Sequence, residues 1–129
     1  MANSLIPHII PYMKISIAIA SKDRGLTGAL LDNPKTLSAG QTKIQLPDGD
    51  AALVWEGEEM AKSGIDLPRV AEFSLEFGAA VASGLVANWL WNKIKGKQIT
   101  SITIDRTSVE FEEGEIKKAV REKITKKIS

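Results

Sequence analysis

Leu67 to Gly96 reads LPRVAEFSLEFGAAVASGLVANWLWNKIKG, and the fold expected of the chain turns on this stretch. It carries the signals of one long helix. Asp66 is placed to cap the first amides, and Pro68 falls in the first turn, where a helix has no use for an N–H. Lys93 and Lys95 put cations at the C-terminal end of the helix dipole, and Gly96 supplies a stop. Phe77 to Asn92 is a run of sixteen residues without a charge. A helix apolar nearly all round must be covered nearly all round. The expectation is a central helix over 67–96.

Gly78, Ala79, Ala80, Ala82, Ser83, Gly84 and Ala87 would give that helix a smooth stretch. An interior glycine costs about 1 kcal/mol of helix propensity relative to alanine, so close approach of another backbone is expected there. That backbone is either the protein's own sheet or a second copy across a two-fold axis. Trp89 and Trp91 leave such a helix on different sides. One of them, or the apolar N-terminal arm, is therefore expected in a subunit contact.

Outward from the helix, the flanking segments read as sheet. Lys14 to Ala20 alternates, with Ile15, Ile17 and Ile19 on one face and Ser16, Ala18 and Ala20 on the other. Residues 1–11 hold Pro7 and Pro11 and read as an irregular arm whose Leu5, Ile6, Ile9 and Ile10 need cover. Asp23 to Asp32 holds a short helix with Leu26, Leu30 and Leu31 inward, ended by Asn33-Pro34. Thr42 to Leu46 and Ala51 to Trp55 flank Pro47-Asp48-Gly49-Asp50, a hairpin signal. Glu56 to Gly64 reads as a solvent-facing acidic connection. Residues 99–112 form a second hairpin turning at Asp105 to Thr107, with Ile102, Ile104, Val109 and Phe111 on one face. Residues 115–128 form a basic amphipathic helix with Ile116, Ala119, Val120 and Ile124 as its stripe. The fold class is therefore α+β: a mostly antiparallel sheet of two hairpins plus an N-terminal strand, packed on the long helix.

The chain has 129 residues, enough for one domain with its own core. It has no cysteine, which excludes disulfides, thiolate metal sites and thiol nucleophiles and fits a cytoplasmic protein. A start without a basic n-region and broken by two prolines does not read as a signal peptide. The sixteen-residue uncharged run falls short of a bilayer span. Net charge is only +1, so there is no global field for nucleic acid. Its distribution is uneven. Asp48 to Glu76 carries eight acidic residues against Lys62 and Arg69, a balance of −6; Lys93 to Ser129 carries ten basic against six acidic, a balance of +4.

Chemistry is hard to assemble from these residues. His8 is the sole histidine, set between prolines, so a histidine metal cluster is excluded. Asp48 and Asp50 have a D-x-D spacing, but no glutamate follows where a calcium loop needs one. Gly25-Leu26-Thr27-Gly28 lacks the lysine and the spacing of a P-loop. Ser83 lies in Ala-Ser-Gly rather than at a strand-to-helix elbow. The basic terminal helix has no interleaved aromatics of the kind that bind nucleic acid. No catalytic residue, cofactor or metal is assigned, and the chain reads as a non-enzyme.

Leu85-Val86-Ala87-Asn88-Trp89-Leu90-Trp91, a lysine-rich stop and the ITSITIDRTSVEF hairpin follow one another here, after a short strand at Lys14 to Ala20. Over Tyr12 to Phe111 this order resembles the effector-associated constant components, small accessory proteins of bacterial conflict systems. The resemblance implies a non-catalytic accessory that acts by protein contact beside an effector. The residues expected to meet a partner are Gly78, Ser83, Gly84, Trp89 and Trp91, with Glu56, Glu58 and Glu59 from the acidic segment. The partner is a protein or a second copy; nucleic acid and membrane are not expected. The alternative is an immunity or inhibitor protein whose acidic segment 48–76 masks a basic site on its target.

Overall fold

A computed structural model describes residues 13–47, 50–60 and 68–129. The expected arm with His8, the Asp48-Gly49 pair of the first turn, and the Asp66 cap lie outside the described residues. The elements in chain order are β1 (Met13–Ser21), α1 (Leu26–Leu30), β2 (Lys43–Gln45), β3 (Ala51–Met60), β4 (Arg69–Phe77), α2 (Ser83–Ile94), β5 (Ile99–Ile104), β6 (Thr107–Val109) and α3 (Glu113–Ile128). The six strands form one sheet in the order β2-β3-β4-β1-β5-β6, and every pairing is antiparallel. With three helices among the described residues, the class is α+β.

The long helix is not there. Its first half is a strand and its second a helix of twelve residues, joined by a turn over 78–82. The reason lies in the period of RVAEFSLEF. As a helix, Phe73 and Phe77 would share one side and Ala71 and Leu75 nearly the opposite one, demanding cover all round. As a strand, all four point the same way and one layer covers them. They are buried to 2% exposure or less, while Val70, Glu72, Ser74 and Glu76 on the other face are half-buried. Phenylalanine and valine also favour the pleated surface. All nine residues of β4 pair with β1 on one side, and the opposite edge pairs with β3.

The expected small-residue stripe disappears with the long helix. Gly78 sits in the turn, its N–H donating to the Asp50 carbonyl at 3.0 Å. A Cβ there would stand 2.7 Å from the Asp50 carboxylate, so this glycine does serve close approach, but to a loop. Gly84 lies in α2 with nothing among the described residues near its would-be Cβ, so none of their backbone accounts for it.

The acidic connection expected over Glu56 to Gly64 is corrected over its first part, while residues 61–64 lie outside the described residues. Glu56 to Met60 continues β3 rather than leaving the sheet. The register with β4 slips by one residue between Trp55 and Gly57, and Gly57 takes φ +139, a conformation L side chains avoid. The bulge absorbs the extra residue, and pairing resumes to Met60 opposite Arg69.

Other local features follow directly from their residues. Asp105 (φ 52) and Arg106 (φ 66) form the two-residue primed turn that closes β5 on β6. Asp32 (φ 58) and Asn33 (φ 52) take the left-handed conformation that stops the α1 segment before Pro34. One face of the sheet carries Ile15, Ile17, Ile19, Leu53, Phe73 and Ile104, and the helices close over it. From α2 come Val86, Ala87, Leu90 and Ile94; from α3 come Ile116, Val120 and Ile124. At roughly 1.5–3 kcal/mol for each fully buried large side chain, this layer drives folding against the entropy of the chain.

Candidate interaction surfaces

Burying Val86, Ala87, Leu90 and Ile94 turns the stripe Leu85, Asn88, Trp89 and Asn92 of α2 outward. Leu85 is 55% exposed, and this stripe carries no charge. Trp89 is partly buried against the core rim and lies under the Lys93 ammonium, 5.6 Å from its ring centroid. Lys93 also bonds the Asp32 carboxylate at 3.0 Å, which ties α2 to the end of α1. Trp91 leaves on the other flank and meets Phe111, ring centroids 5.4 Å apart and tilted 48°. Both tryptophans are thus half-covered by the chain's own residues. Neither stands bare.

A groove of about 620 Å³ runs along α3 from Gly114 to Lys126, with Ser83 at the start of α2 as its facing wall. Its α3 side is a helical stripe of Gly114, Lys117, Lys118, Arg121, Thr125 and Lys126, with Glu122 among them. The stripe exists because Ile116, Val120 and Ile124 take the opposite side of the helix into the core. Lys117 donates to Glu113 at 2.6 Å, one turn back. That hydrogen bond, and then the charge of Lys117, hold the Glu113 carboxyl below the usual carboxylate range. On the other flank of α3, Glu110 and Glu115 line a second groove that shares Lys118 and Glu122 with the first.

The face of the sheet opposite the core holds a third hollow, about 260 Å³, floored by Ser16, Ala18, Ser74 and Thr103. Glu56 and Glu72 stand on its β3–β4 side, and Arg106 at the opposite end. The register places Glu72, Ala18 and Thr103 in one cross-strand row. Glu58 pairs with Arg69 at 3.6 Å, and Glu59 is exposed.

The residues singled out from sequence therefore fall in separate places. Ser83 and Gly84 open α2, with Ser83 in the basic groove; Trp89 and Trp91 flank α2; Gly78 is enclosed in its turn; and the three glutamates lie on the far half of β3. The basic stripe of α3 was legible as six cations on one helix. That it forms a groove with Ser83 was not, because the α2–α3 packing brings together residues more than thirty positions apart. Among the described residues, no group of three metal-ligating side chains assembles, and no helix is long and apolar enough to cross a membrane. No family model, curated protein or solved structure matches this chain. The resemblance to effector-associated constant components rests on the sequence pattern alone.

Proposed function

We propose that this chain is a non-enzymatic protein–protein interaction module that works as an adaptor and self-associates. The observation that carries this reading is the uncharged outward stripe of α2, where Leu85 is 55% exposed beside a half-covered Trp89. Exposed aliphatic and aromatic side chains on a rigid helix are what an interface core is made of. The sequence resemblance adds the setting, an accessory to an effector in a bacterial defence or toxin system, and a cytoplasmic location goes with it. Light scattering of the full chain over a wide range of concentration tests the reading, alongside retention of protein partners on the immobilised chain. Leu85→Asp, an exposed change that leaves the core intact, is expected to abolish self-association or partner retention. A strict monomer that retains nothing at any concentration overturns it.

An inhibitor reading is favoured by a different observation: Glu56 and Glu72 flank one hollow on the sheet face opposite the core, and Glu59, paired with Val70, stands on that same face, whereas Glu58 lies opposite Ala71 on the other face and meets Arg69. Such a face suits a basic site on a target. Reversing Glu56, Glu58 and Glu59 to lysine separates the two readings. Masking by charge collapses and is salt-sensitive in the parent, whereas contact through Leu85 and Trp89 is unaffected.

A further inference from the structure

We propose that the groove between α3 and the start of α2 is a docking site for an acidic amphipathic helix of a partner protein; this rests on the interaction-module reading and names the partner's chemistry. Three observations carry it. The first is shape. The α3 lining runs from Gly114 to Lys126, about 18 Å at 1.5 Å per residue, which matches three turns of a second helix laid alongside. Gly114 at one end and Ser83 opposite keep the wall low, so a backbone can come close.

The second is charge. Lys118, Arg121 and Lys126 are exposed and line the groove, and Lys117 joins them with its charge partly met by Glu113. They recur at helical spacing, so carboxylates one turn apart on a facing helix would meet them in sequence. The third is what surrounds the cations. Glu122 stands within the stripe, and Glu110 and Glu115 line the groove beyond it. A phosphodiester strand spreading over α3 would run into these carboxylates, and among the described residues the lining offers no aromatic ring on which a base could stack. A helix confined to one flank avoids the acidic side, and Glu122 can accept from a lysine that sets its register.

The test uses the full chain and a labelled sixteen-residue peptide with glutamate on one face and leucine at i, i+3 and i+7. Fluorescence anisotropy compares it with the same peptide carrying glutamine for glutamate and with a labelled single-stranded oligonucleotide. The glutamate peptide is expected to bind, and its glutamine version to bind at least about tenfold more weakly, with affinity falling as salt rises. The double variant Lys118→Glu/Arg121→Glu, two exposed positions, is expected to lose at least about tenfold. Lys22→Glu/Lys35→Glu, exposed positions outside the groove, removes the same charge and should change binding less than about twofold. An unchanged melting temperature shows that both variants fold. The proposal is overturned if the peptide does not bind, if both double variants weaken it equally, or if the oligonucleotide binds as tightly. A partner still retained by Lys118→Glu/Arg121→Glu but lost by Leu85→Asp removes the groove and leaves the module reading standing.

Discussion

β4 and α2 come from one continuous run of apolar spelling, yet they are stabilised in opposite ways. In β4 every second residue is sealed, and Ala71, Phe73, Leu75 and Phe77 share one face in the middle of the sheet. In α2 only Val86, Ala87, Leu90 and Ile94 are buried, and Leu85, Gly84 and Asn88 look out. Apolar content does not distinguish the two halves. Period does: two in the first and 3.6 in the second. The strand is a structural partition with both edges paired, whereas the helix is a cover with one side left over. That leftover side is where interaction surfaces arise.

The contrast can be broken most sharply at its centre. Phe73→Ala is expected to cost about 3–5 kcal/mol in urea denaturation, through lost transfer energy and a cavity between two paired strands. Leu85→Ala, the same kind of truncation on the outward side of α2, should stay within about 0.5 kcal/mol. Similar values for the two would show that β4 is not the interior strand described here.

Glycines sharpen the comparison at smaller scale. Gly96 follows α2 with φ +84, so Gly96→Ala should lose about 1 kcal/mol by thermal or chemical denaturation. Gly84 is helical with open space around it, so Gly84→Ala should gain about 0.5–1 kcal/mol. A loss at Gly84 would reveal a close neighbour in solution and favour a helix pair between copies. Lys93→Ala removes the Asp32 contact and the cation over Trp89, and should cost at most about 1 kcal/mol at low salt, shrinking as salt is added.

The smallest effect is one of pH. Glu113 titrates below the usual range because Lys117 bonds its charged form. A carboxyl with a depressed folded value contributes stability above its unfolded value and loses it as pH falls through the folded one. Carboxyl-carbon NMR should show Glu113 titrating below the usual carboxylate range, and Lys117→Ala should move it back up.

Much of the fold was legible where a single local rule applied. Ile15, Ile17 and Ile19 declared β1 through strict alternation, Leu26, Leu30 and Leu31 declared the α1 segment, and Ile116, Val120 and Ile124 declared α3. Residues 67–96 misled because helix-like punctuation at both ends, Asp66-Leu67-Pro68 and Lys95-Gly96, framed two elements instead of one. Within that frame RVAEFSLEF already alternated, but its glutamates at 72 and 76 and its phenylalanines at 73 and 77 also satisfy i, i+4. Glu56 to Glu59 misled for the complementary reason: glycine and acid look like a loop, and only pairing along β4 makes them a strand.

Side-chain chemistry along the chain was enough to settle the α+β class, the inward isoleucines and the cationic side of the last helix, because each is a property of neighbours a few residues apart. Tertiary structure alone decided that β4 is a central strand, that Glu56 and Glu72 share a hollow, and that Ser83 faces Lys118 and Arg121 across a groove. Those features depend on contacts between distant segments, and no local period encodes them.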